Sequence, residues 1–225
     1  MTHLHIPDGI LPIRIWVLGI LLMSLGLGIC LYWLRTKDLK KFLPLLGTVS
    51  AAMLVAMSLE ILPLAYHINL SVVAGILLGP ALGFLAAFIT NLILAFMGHG
   101  GITVIGLNTL LLGCEAILGH SLFFLFKNRM PVFWRAAIAT VLTLLLSTLA
   151  LIGIVAISHI DTDLLRHAHE QGADSAKQGS VSTFAAMVLV LGSFGWIIEA
   201  AITGAVVSFI SKVKPDLLGH VLHKK

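Results

Sequence analysis

The sequence predicts an all-α, polytopic integral membrane protein: one helical bundle of about seven transmembrane helices, amino terminus outside and carboxy terminus inside. Three observations predict it. Of the 225 residues, 59% are hydrophobic and 11% are charged, and the mean hydropathy is +1.06; soluble globular domains do not have this composition. Several apolar stretches reach the roughly 20 residues that a helix needs to cross a bilayer. In hydrocarbon every backbone group must bond internally, so such stretches are helices, and the alternating pattern of a barrel strand is absent.

The first span runs from about Leu11 to Leu34, with Arg14 near its start, and Arg35, Lys37, Lys40 and Lys41 follow it. The second runs from Phe42 to Leu62 and is closed by Pro63. A third apolar segment, Leu70 to Leu78, is too short to cross unaided and meets Gly79-Pro80, a pair that breaks or sharply turns a helix. Ala81 to Met97 forms the fourth span and ends in Gly98-His99-Gly100-Gly101. Ile102 to Phe126 leads to Lys127 and Arg129, and Val132 to Ser158 follows. The polar stretch His159 to Ser180 is the only sizeable loop, an outer one, before the last span, Val181 to Ile210, and a basic tail. Residues 1–225 read as a single membrane domain whose first ten residues form a metal-binding peptide. Cys30 and Cys114 fall inside apolar runs and read as small buried apolar residues rather than a disulfide.

Counting the third segment as a span gives seven and puts the termini on opposite sides. With the amino terminus outside, only Arg14, Arg166 and Lys177 of the 14 basic residues lie on the outer side, which leaves 11 inside. If the third segment did not cross, the inner side would hold Arg35, Lys37, Lys40, Lys41, Arg166 and Lys177, 6 against 8. The bias of Lys and Arg toward the cytoplasm favours seven. The net charge of +4 then reflects topology in a cell membrane and attraction to anionic lipid, and not nucleic acid. The same orientation puts histidines 3, 5, 67, 99, 159, 167 and 169 outside, and leaves only His120, His220 and His223 elsewhere.

The chain opens Met1-Thr2-His3-Leu4-His5-Ile6-Pro7-Asp8-Gly9, without the basic opening of a signal peptide. Two histidines thus lie beside a free amino group. If Met1 is removed, the start becomes Thr2-His3, whose amine, amide and imidazole close two chelate rings; one more imidazole completes a square plane of nitrogens suited to Ni(II) or Cu(II). The alternative is a polar tail with two surface histidines. His67, in Ala65-Tyr66-His67-Ile68-Asn69 just beyond the second span, is placed to supply a further nitrogen, although a lone loop histidine is often a solvated or capping residue. His99 is a second candidate on that side, and its flanking glycines also fit a simple tight turn.

The loop with His159, Asp161, Asp163, His167, His169, Glu170 and Asp174 reads as a solvated linker or as a surface that concentrates cations. His169-Glu170 is followed by Gln171-Gly172-Ala173, so it is not a zinc-protease helix motif. Glu60, Glu115 and Glu199 fall in or near spans, where ionisable groups face the protein interior. Glu115 and Glu199 are the deeper pair, placed to hold helices together or, alternatively, to relay a cation. Asn91 and Asn108 are placed to cross-link helices. The pairs Ala52/Ala56, Gly83/Ala87 and Ala201/Ala205 have the spacing of close helix contacts, internal or with a partner subunit.

His5-Ile6-Pro7-Asp8-Gly9, Gly75-Ile76-Leu77-Leu78-Gly79-Pro80 and the run Gly98 to Asn108 together resemble the CbiM/NikM family, the substrate-capture components of energy-coupling-factor nickel and cobalt importers. The looser stretches Ile198-Glu199-Ala200 and Val213 to Leu218 extend the resemblance toward the carboxy terminus. The resemblance implies an amino-terminal peptide presented to a central pocket, its amine and motif histidine binding the ion together with a second histidine after the second span. Carried over, these are His5 and His67. It also implies a coupling transmembrane subunit and ATP-binding cassette ATPases as partners, and Ni2+ or Co2+ as transported substrate rather than catalytic cofactor. The family motif usually follows the initiator methionine directly, whereas Thr2, His3 and Leu4 intervene here. The compact chelate of the amine is thereby out of reach of His5 and open to His3. The family usually has aspartate where His99 stands.

The chain lacks a phosphate-binding G-x-x-x-x-G-K-[ST] loop, so ATP hydrolysis belongs on another chain. The ligand set expected is Thr2, His3, His5 and His67, with His99 as an added or supporting group. The alternatives are a membrane metal sensor or scaffold without transport and, less well supported, a membrane metalloenzyme. The enzyme would need a general base beside an open metal site, and apart from Asp8 and the polar loop no carboxylate lies near the histidines in sequence.

Overall fold

A computed structural model describes residues 11–37, 39–59, 67–167 and 181–219, with backbone alone at 41, 158–167, 181–184, 187 and 219. The described residues form α-helices and one short 3-10 turn, with no strand. The helices are α1 (Ile13–Leu34), α2 (Leu43–Ser58), α3 (Ser71–Leu78), α4 (Pro80–Phe96), α5 (Ile105–Leu125), α6 (Val132–His167), α7 (Val181–Val213) and the short α8 (Asp216–Gly219). Within them, Ile13–Leu34, Ile105–Leu125, Val132–Ile157 and Val188–Val213 are long and apolar enough to cross a membrane, and Leu43–Ser58 and Pro80–Phe96 are shorter apolar helices.

α5 is the central post, packed against α1, α3, α4 and α6, while α6 and α7 form the most extensive helix pair. The outward faces are apolar: Ile13, Leu21, Trp33, Val190, Ile197 and Phe209 are all more than half exposed. Surface of that kind is stable only in lipid or under another subunit. The hydroxyls on the helices follow the same rule. Ser24, Thr48, Ser121 and Thr140 each donate to the carbonyl one turn earlier at 2.8 Å, which satisfies them without water.

α3 is buried along its whole length. At eight residues it is about 12 Å long, well short of the hydrocarbon core. Its end is the break anticipated at Gly79-Pro80: Gly79 has φ +81, and Pro80 starts α4, where its missing N–H costs nothing. The two helices fold back on each other, so that a Cβ on Gly83 of α4 would come 3.1 Å from the Gly75 Cα of α3. α3 lies still closer to α5. A Cβ on Gly75 would stand only 1.9 Å from the Ala116 carbonyl oxygen, so only glycine fits there. The His120 Nδ1–H of α5 donates to the Gly75 carbonyl at 2.9 Å. Three residues further along α5, Arg135 of α6 donates twice to the Phe123 carbonyl, at 3.1 and 3.3 Å. Its guanidinium also lies 4.1 Å over the Phe123 ring, which lets a charged group sit beside apolar helices.

Two expectations are corrected. The loop anticipated from His159 begins later, because α6 continues through His167; Asp161 to Arg166 contains no glycine or proline to stop it. Residues 168–180 lie outside the described residues, as do Pro63 and Glu60. Cys114 is exposed rather than buried, whereas Cys30 is buried as anticipated, and both thiols are free. Of the small-residue pairs, Gly83/Ala87 packs internally, while Ala201 and Ala205 face outward. Asn91 Nδ2 does reach Thr109 Oγ1 across α4 and α5, at 3.5 Å.

Candidate metal centre

His67 stands at the start of the irregular stretch His67–Leu70 that leads into α3, and its side chain is half-buried. His99 stands just beyond α4 and is exposed. The fold-back of α3 on α4 brings these two loops together: the imidazole centroids are 5.9 Å apart, with planes at 89°. Two imidazoles that share one first-row ion, at bonds of about 2.1 Å, hold their centroids roughly 4.5–6.5 Å apart. The observed separation falls in that interval.

The His99 position is set by the way α4 ends. Gly98 N–H donates to the Ala95 carbonyl at 3.1 Å and His99 N–H to the Leu94 carbonyl at 2.9 Å, with Gly98 at φ +78. This is a Schellman cap, and it needs a residue that tolerates a left-handed backbone. The Gly98-His99-Gly100 segment is thus a tight turn, and that turn also aims a histidine at His67.

The His67 loop is held by polar groups that sequence reasoning did not assemble. Asn69 is 4% exposed, Glu115 3% and Glu199 1%. Asn69 N–H donates to Glu199 Oε1 of α7 at 2.9 Å, and Asn69 Nδ2 donates to Glu115 Oε2 of α5. Asn69 Oδ1 accepts the Ser71 N–H at 2.8 Å, and Ser71 Oγ donates to the same Glu115 oxygen at 2.5 Å. Ser147 of α6 adds a further side-chain hydrogen bond to the Glu115 carboxyl. Irregular backbone inside an apolar bundle survives only with such partners. The carboxyls therefore tie α5, α6 and α7 to the loop, the helix-holding role anticipated for them. The sequence signal was an Asn and a Ser two residues apart at the start of an apolar helix, but nothing in it named their partners.

Residues 1–10, with Thr2, His3 and His5, lie outside the described residues. Leu11, which follows them, is buried in a cluster with Val104, Leu107, Leu111 and Leu151. Val104 ends the loop that carries His99, so the chain leaves the leading segment at the end of the bundle that holds the two imidazoles. Among the described residues, no three His, Cys, Asp or Glu side chains gather as a ligand set.

Residues 5–217 match the family model for the cobalt uptake substrate-specific transmembrane region, CbiM. This chain belongs to the CbiM family. A proposed metal transport protein of Haloquadratum walsbyi is 32% identical over 222 residues, covering 96% of this chain and 93% of that protein. Another proposed metal transport protein, from Haemophilus influenzae, is 30% identical over 125 residues, 53% of this chain and 57% of its own. Crystal structures show the same fold at 20% identity: a transition metal transporter with TM-score 0.77, over 97% of this chain and 98% of its own, and a truncated transition metal transporter with TM-score 0.77, over 93% and 99%. As a CbiM-family member the chain is a multi-pass membrane component of metal uptake, and its fold is that of a transporter.

Proposed function

We propose that this CbiM-family chain is the substrate-binding component of an energy-coupling-factor importer for Ni2+ or Co2+. It captures the ion outside, by His67 and His99 together with the imidazoles of His3 and His5 and, once Met1 is removed, the amine at Thr2. It catalyses no reaction; ATP is hydrolysed by cassette ATPases on other chains, which act through a coupling transmembrane subunit. The observation that carries this reading is the His67–His99 pair, 5.9 Å apart on two loops that meet at one end of the bundle. Two imidazoles leave a divalent ion short of ligands, and the leading segment is the source of nitrogen closest to hand. From Leu11 back to residue 5 an extended chain spans at most about 20 Å, enough to return to that end. Seven crossings with the amino terminus outside would place this end toward the medium, with His67–Leu78 and α4 as the third and fourth.

The test is calorimetric titration of the purified full-length chain with Ni2+ and Co2+, together with uptake in cells that carry the coupling subunit and ATPases. His67→Ala and His3→Ala should each abolish tight binding and uptake. Unchanged binding in both would defeat the site, and tight binding without ATPase-dependent uptake would favour the metal sensor.

A further inference from the structure

Asn69 lies two residues from His67, and its backbone N–H and side chain together bond residues of α7, α5 and α3. We infer that Asn69, gripped by Glu115 and Glu199, is the positioning residue that fixes His67 for the ion; this rests on His67 being a ligand. Every polar group of the Asn69 side chain, and its backbone N–H, is engaged: N–H to Glu199, Nδ2 to Glu115, Oδ1 to the Ser71 N–H. Ser71 closes the ring by donating to Glu115 at 2.5 Å. Two residues of chain cannot move far from so many fixed points, so the His67 Cα inherits the position of Asn69. The opposite loop has a comparable fixture in the cap at Gly98. The two loops that carry the imidazoles are therefore held by the fold itself, which spares the ion the cost of ordering the His67 loop.

The hydrogen bond from Asn69 Nδ2 to Glu115 has a direction, and that makes the inference testable. Asn69→Asp removes the donor and sets two carboxylates against each other, while it retains an acceptor for the Ser71 N–H. Glu115→Gln in the same chain restores the bond with donor and acceptor exchanged. Two measurements on the full-length protein in detergent separate positioning from ligation. In the metal-free chain, modification of His67 by diethyl pyrocarbonate, read by peptide mass, should speed several-fold in Asn69→Asp and return to the parent rate in Asn69→Asp/Glu115→Gln. Titration with Ni2+ should show Asn69→Asp weakened by about tenfold or more, the usual loss when a group that orients a metal ligand is removed. The double variant should recover to within about threefold.

A merely structural Asn69 would lower the melting temperature in both variants without the paired recovery. An unchanged His67 modification rate in Asn69→Asp, or failure of the double variant to recover, overturns the inference. If the modification rates behave as stated but His67→Ala binds Ni2+ like the parent, the positioning stands and His67 is not a ligand.

Discussion

Gly75 shows how little room a single residue has in this bundle. A methyl there would fall 1.9 Å from the Ala116 carbonyl oxygen, and backbone on two packed helices cannot yield. Gly75→Ala should destabilise the detergent-solubilised protein by about 2 kcal/mol or more, toward the upper end of overpacking costs, seen as a lower thermal midpoint. Because His120 bonds the same residue's carbonyl, the change also disturbs the start of the α3–α4 fold-back. At the end of the bundle that holds the two imidazoles, His99→Ala leaves the cap of α4 intact, since the cap uses only the backbone N–H of residue 99. It should weaken Ni2+ binding without lowering the thermal midpoint of the metal-free chain, checked by titration and melting side by side. His67 and His99 were both legible as candidates from their places just beyond apolar runs. Asn69 was not, because its importance lies in partners 46 and 130 residues away.

At the scale of the element, the decisive features are two short backbone devices. Gly79-Pro80 turns α3 back as α4, and Gly98 ends α4 in a left-handed conformation at φ +78. A Cβ at Gly98 meets nothing within 4 Å, so Gly98→Ala brings only the strain of that conformation, about 1–2 kcal/mol. If the cap is what aims His99, Gly98→Ala should weaken Ni2+ binding although no ligand is touched, and Gly98→Asn, which tolerates the conformation, should restore most of it. Titration of the two variants decides. The helices themselves were readable to within a few residues, α2 ending at Ser58 rather than Leu62 and α5 starting at Ile105 rather than Ile102, because an apolar run in lipid has no alternative to a helix. The exception at the start of the polar loop has the same cause in reverse: leaving the apolar region does not end a helix, and the residues after Ser158 include helix formers up to His167.

At the scale of the whole molecule, the bundle presents apolar surface outward and encloses the carboxyls of Glu115 and Glu199. A ligand that binds only the folded state raises stability by RT ln(1 + [L]/Kd), about 2.7 kcal/mol at a hundredfold excess over Kd. Ni2+ should therefore raise the thermal midpoint of the parent chain measurably and leave that of His67→Ala unmoved. The orientation is open to direct measurement. Single cysteines introduced in a Cys30→Ser/Cys114→Ser background near Lys37 should label only from the cytoplasmic face, and those near Gly100 only from outside; the reverse pattern would invert the topology.

Composition and apolar run length alone determined that this chain is a helical membrane protein and where most of its helices lie. That follows because the bilayer imposes its constraint locally, on each segment's own backbone and side chains. Which imidazoles become neighbours, and which carboxyls hold the loop that carries one of them, was decided only by the tertiary packing. Those contacts join residues far apart in the chain, through a fold-back of α3 on α4 and a central α5 whose neighbours no local pattern names.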